Sequence, residues 1–190
     1  FFWENFNLGL DYIKKSKNFI YIITAVFALF ILIGYFVPTP AIIEETILKF
    51  IEELLKKTEN MSFGELIRFI FLNNLQSSFF GMIFGVFFGF FSVITTIVNG
   101  YLLGFVAAKT TETNGILFLW RLFPHGIFEL PAVLISLGLG LKLGTFIFQK
   151  NKSKSLKEFF LKSILAFVFV IIPLLLIAAI IESALIAFFG

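Results

Sequence analysis

The sequence predicts an all-α integral membrane protein, a polytopic bundle of about five transmembrane helices with one external amphipathic helix. Phe79 to Ala108 is a stretch of thirty residues without a charge, punctuated by Gly81, Gly85, Gly89, Gly100 and Gly104, with Asn99 as its one amide. Such a run finds its favourable solvent in hydrocarbon, and the small residues let helices approach closely there. Of the 190 residues, 59% are hydrophobic and 14% charged, and Phe alone supplies 30, far from the usage of a water-soluble domain. The lysines cluster in flanks and loops beside apolar runs, as membrane topology requires. The net charge of +3 therefore points to lipid and not to nucleic acid, which needs a basic groove interleaved with aromatics. The absence of cysteine excludes disulfides, thiolate ligands and a cysteine nucleophile. Residues 1–190 read as a single transmembrane domain, and the start at Phe1 suggests that a few residues have been trimmed.

The first span is expected at about 19–37, after Lys14, Lys15 and Lys17 and before Pro38 and Pro40, which end a helix. No small-residue cleavage site follows it, so an uncleaved span is expected and not a signal peptide. Residues 41–57 differ in kind. Ile43, Ile47, Phe50, Ile51, Leu54 and Leu55 recur at helical spacing, while Glu45 and Lys49, Glu52 and Lys56, and Glu53 and Lys57 stand four apart. This is an amphipathic helix that lies on the membrane surface, caps its own bundle or meets a partner. Ser62-Phe63-Gly64-Glu65 has capping-box spacing and opens the next helix. From Leu66 to Ala108, a single helix of 43 residues would reach about 65 Å at ~1.5 Å per residue, twice the ~30 Å of hydrocarbon. Two spans at about 66–89 and 92–108 are expected instead, joined by a tight turn near Phe90 to Ser92. A fourth at about 126–146 contains Pro131, Gly138, Gly140 and Gly144, and a fifth at about 161–185 contains Pro173.

Lys150, Lys152, Lys154, Lys157 and Lys162 form the densest basic loop. The positive-inside rule places both this loop and the Lys14 to Lys17 flank in the cytoplasm, which demands an even number of spans between them. Four intervening spans satisfy this; a single span from Phe79 to Leu103 would leave five lysines outside. The chain is thus expected in the cell membrane, multi-pass, N-terminus cytoplasmic, with the 41–57 helix outside.

Several polar groups fall where lipid offers no partner. Asn73, Asn74, Gln76, Ser77 and Ser78 cluster in the second span, and on a helix Asn73 shares a face with Ser77 and Asn74 with Ser78. They must meet other helices or an aqueous cavity. Phe123-Pro124-His125-Gly126-Ile127-Phe128-Glu129-Leu130-Pro131 carries the only histidine, with Glu129 one helical turn later. A carboxylate beside an imidazole orients the ring and shares a proton or a metal with it. A zinc site needs three or four ligands; His125, Glu129 and Glu182 are the only candidate set, no His-Glu-x-x-His accompanies them, and neither a metal nor a cofactor is expected. Arg121 is the natural counter-charge. Catalysis would require Ser77 or Ser78 as nucleophile with His125 as base, and no enzyme is expected. Gly81, Gly85, Gly89, Gly100 and Gly104 are expected at helix contacts, within one chain for one stripe and, for the other, open to a homodimer. The Phe excess reads as lipid-facing and interhelical filler.

Asn73-Asn74, Gly81 and Gly85, Asn99-Gly100 with Gly104, His125-Gly126-x-x-Glu129-Leu130-Pro131 and Glu182 follow one another in an order that resembles the stage II sporulation protein M family, carried by archaea under a domain-of-unknown-function label. The resemblance covers roughly Asn5 to the C-terminus, and its most specific piece is the His-Gly-x-x-Glu-Leu-Pro string. In spore formers the family member is a polytopic component of a complex with two peptidoglycan-degrading partners, regarded as a scaffold. The resemblance implies an integral membrane protein that recruits other membrane or envelope proteins and catalyses nothing itself. Richness in Phe, Ile and Lys resembles a thermophilic archaeal member. The alternative is a transporter or channel in which Asn73, Asn74, Asn99, His125, Glu129 and Glu182 line a route for a small polar solute, ion or proton.

Overall fold

The computed structural model describes residues 1–115, 117 and 123–189, with residues 114, 123–128, 188 and 189 described by backbone alone. Among the described residues the long elements are all helices: α1 (Phe2–Lys15), α2 (Lys17–Phe36), α3 (Ala41–Thr58), α4 (Phe63–Ile83), α5 (Phe90–Asn114), α6 (Phe123–Gly144), α7 (Lys152–Ala166) and α8 (Ile172–Phe189). Five segments are long and apolar enough to cross a membrane: Lys17–Phe36, Phe63–Val86, Phe90–Thr113, Glu129–Phe148 and Lys152–Ala187.

Local chemistry explains where the helices begin and end. Val37 is extended, as a residue before proline must be, and ends α2 ahead of Pro38. Ser62 opens α4, and the Glu65 carboxylate accepts from the Ser62 N–H at 2.8 Å and from its Oγ–H at 2.6 Å. The hairpin between α4 and α5 differs from the expected turn near Phe90 to Ser92. The chain reverses at Phe84–Gly89, where Phe88 and Gly89 take left-handed φ of 57° and 76°. Gly89 supplies the conformation that a side chain resists, so it belongs to the turn and not to a helix, and Ser92 lies buried inside α5. Before Pro173 the chain widens into a π turn at Phe167–Ile171; a proline offers no N–H and collides with the carbonyl four residues back, and the wider turn absorbs both. α7 and α8 thus form one long, interrupted helix that begins at Lys152, well before the expected 161.

α6 is the central helix, packed on α2, α4, α5 and α8. Ala132, Val133, Ser136, Leu137, Leu139 and Leu143 are buried around its circumference. α1 was not expected as an element. Its Gly9 and Tyr12 share a face and bury against α7 and the π turn, where Gly9 faces Ala166 and Val170. Phe1 and Phe2 stack edge-on against Phe169. This packing puts the Lys14 to Lys17 flank and the start of α7 at the same end of the bundle.

Candidate functional site

The consecutive polar residues of α4 divide between two faces, because successive positions on a helix lie ~100° apart. Asn74 and Ser78 face inward. Asn74 hydrogen-bonds Glu129 of α6, and Glu129 also hydrogen-bonds Glu182 of α8. One turn further along α4, the Ser78 carbonyl accepts from Ser136 Oγ at 2.8 Å. Three helices therefore meet at one polar contact built from Asn74, Glu129 and Glu182. A hydrogen bond between two carboxyl groups requires a proton on one of them, since an ionised carboxylate only accepts. The contact brings two carboxyl groups side by side within the spanning region, where isolated charges are costly.

The His125 backbone lies in α6 one turn before Glu129, but its side chain, like Arg121 as a whole, lies outside the described residues. So does any test of the metal set His125, Glu129, Glu182 or of His125 as a base for Ser77 or Ser78. Among the described residues no group of three metal-ligating side chains converges.

Asn73 does not join this contact. With Gln76, Ser77 and Thr95 it lines an open groove of about 300 Å³ on the outer face of α4 and α5, completed by Phe80, Phe84 and Phe91. Asn99 lies half-buried on α5, and no interaction among the described residues links it to the carboxyl pair. A second groove of about 410 Å³, lined by Ile83, Val86, Ser153, Leu156, Lys157 and Phe160, sits beside the basic end. Neither groove is lined by Asn74, Asn99, Glu129 or Glu182.

The glycines place main chain against main chain. A Cβ on Gly104 would collide with the Ile31 carbonyl of α2, one on Gly100 would lie 2.7 Å from the Phe27 oxygen, and Gly34 abuts the Tyr101 carbonyl in return. Gly85 meets Gly140, Gly89 meets Leu141 and Gly144, and Gly81 meets Leu137 of α6. Both stripes are filled by helices of the same chain. The stripe left open to a homodimer is engaged within the bundle, where close approach uses up that backbone.

Sequence reasoning passed over Lys142. Its Nζ donates to Ser16 Oγ at 2.9 Å and lies 4.1 Å from the centre of the Tyr12 ring, while Tyr12 Oη donates to the Phe159 carbonyl at 3.4 Å. Burial pushes the Tyr12 phenol up to about 12, so it stays a neutral donor and a cation-binding face. A single lysine inside an apolar run four residues after Gly138 was the available signal.

α3 stands off from the bundle. Ile47 is its only buried side chain, while Ile42, Ile43, Leu48, Phe50 and Leu55 are exposed. Glu44 pairs with Lys109 of α5 at 2.7 Å, and Lys57 lies 5.1 Å from the centre of the Phe69 ring instead of pairing with Glu53. The pairs Glu45 to Lys49 at 2.7 Å and Glu52 to Lys56 at 2.6 Å form on its outer side as the spacing suggested.

A family model described as Stage II sporulation protein M matches residues 23–185. Two uncharacterised proteins of Methanocaldococcus jannaschii are similar. The first is 36% identical over 118 residues, 60% of this chain and 66% of the relative; the second is 29% identical over 175 residues, 90% of this chain and 78% of the relative. The chain thus spans just under two thirds of the first relative's length. No solved structure matches.

Proposed function

The chain belongs to the stage II sporulation protein M family, and from that premise we propose that it is a multi-pass membrane scaffold, without catalysis of its own, that holds other membrane or envelope proteins through α3. The observation that carries this reading is the apolar face of α3. Ile43, Phe50 and Leu55 are 46%, 50% and 64% exposed at the end of the bundle, and an apolar helix face left uncovered marks a surface made to be covered. The two lysine clusters share one end, which the positive-inside rule assigns to the cytoplasm, so α3 faces the opposite side of the membrane.

Transport is the second reading, and the Asn74, Glu129 and Glu182 contact favours it, since paired intramembrane carboxyls serve proton relays. Against it stands the position of the two grooves, neither of which Asn74, Glu129 or Glu182 lines.

A photo-activatable residue in place of Phe50 tests the scaffold in native membranes. Discrete protein adducts are expected, and they should vanish when Ile43 and Leu55 are also changed to Ser. Adducts with lipid alone would overturn α3 as the recruiting surface.

A further inference from the structure

We propose that two copies of this chain pair side by side in the bilayer through the groove between α4 and α5, with Asn73 and Gln76 of each copy hydrogen-bonding to the same residues of the other. Asn73 lies ten residues into α4 and five past the exposed Arg68, about 7.5 Å beyond that charge at ~1.5 Å per residue and so inside the ~30 Å crossing. Both amides are exposed there, and among the described residues neither makes a side-chain hydrogen bond. Water is absent at that depth, so a bare amide leaves donors and acceptors without partners, a condition that spanning segments avoid.

The chemistry selects the occupant. An amide carries donors and an acceptor at once, so a patch of two amides is complementary to itself. A homodimer of chains that share one topology has its two-fold axis along the membrane normal. Each residue then meets its own copy's residue at the same depth, and amides find amides. A helix from another protein would have to carry a matching polar group at that level. Phe80, Phe84 and Phe91 rim the groove and supply the apolar contact around the hydrogen bonds. Pairing here leaves α3 uncovered, so dimerisation and recruitment through α3 are separable.

The chain has no cysteine, which makes single-site crosslinking clean. Phe80→Cys probes the groove and Leu29→Cys on α2 serves as a control of similar exposure, 49% against 53%. With purified protein in liposomes at high dilution in lipid, oxidation is expected to give a covalent dimer for Phe80→Cys and little for Leu29→Cys. Adding Asn73→Leu and Gln76→Leu to Phe80→Cys should lower the dimer yield at least tenfold. Equal yields at the two positions, or no dimer at either, would overturn the proposal, as would leucine variants that crosslink undiminished. If the leucine variants fail to fold, the contrast between Phe80→Cys and Leu29→Cys decides alone. In native membranes, a Phe80→Cys adduct with a different protein and none with itself would likewise overturn the second copy as occupant.

Discussion

Replacing Gly100 by Ala perturbs the contact between α2 and α5 by one methyl group. The added Cβ would lie 2.7 Å from the Phe27 carbonyl oxygen and 3.2 Å from Phe30 Cβ, where ordinary contact begins at 3.4 Å. α2 must retreat by about 0.7 Å, the difference between 2.7 and 3.4 Å, because the obstacle is main chain and no rotamer change clears it. A gap of about 0.5–1 Å elsewhere along such an interface forfeits a quarter to a half of each affected dispersion contact. Overpacking in well-packed cores costs ~1–3 kcal/mol, and that is the loss expected here. The assay is reversible unfolding in mixed micelles titrated with a denaturing detergent. Gly64→Ala is the internal standard: its Cβ would meet nothing within 4 Å, so only backbone entropy and propensity act, and stability should be unchanged or rise by up to ~1 kcal/mol. Wild-type stability for Gly100→Ala, or a larger loss for Gly64→Ala, would refute packing of α2 on α5 through bare backbone.

Glu129→Leu removes the partner of both Asn74 and Glu182 and should destabilise the bundle by about 1–3 kcal/mol, while Glu129→Gln, which still donates and accepts, should cost less in the same unfolding assay. If Glu129→Gln keeps full stability yet abolishes a proton or solute flux in liposomes, transport displaces scaffolding. Lys142→Met should cost about 0.5–1 kcal/mol through loss of the Tyr12 ring contact and the Ser16 hydrogen bond, the low end reflecting a partly exposed ammonium; Lys142→Arg should recover most of it. Ser92→Ala removes the bond from Ser92 Oγ to the Gly81 carbonyl, 2.8 Å long and buried, and should cost about 0.5–1.5 kcal/mol as measured by the shift in unfolding midpoint.

Much of this architecture is legible in the residues, for definite reasons. Five spans follow from length and hydropathy, since hydrocarbon imposes a length on every crossing. Asn74 and Ser78 share one face, and Asn73 and Ser77 another, because helical geometry alone decides it. The turn at Phe84–Gly89 is displaced from the expected position because lipid and core are both apolar there; Phe84 to Phe91 carries no periodic contrast, and only the backbone need of Gly89 marks the reversal. α1 escaped notice because Glu4, Asp11 and its brevity hide an apolar stripe that means something only once α7 lies beside it. That Glu129 meets Glu182, while Asn73 turns away, depends on the rotation of α4, α6 and α8 about their axes, which is a product of packing and not of any one segment's pattern.

Membrane placement itself is tested most directly by single-cysteine labelling in intact cells with a reagent that does not cross the bilayer, comparing Asn60→Cys, after α3, with Ser153→Cys, at the start of α7. Five crossings with the lysine-rich end in the cytoplasm require that Asn60→Cys is labelled and that Ser153→Cys is protected until the membrane is opened. Labelling of both in intact cells, or release of the protein from membranes by alkaline carbonate, would contradict it.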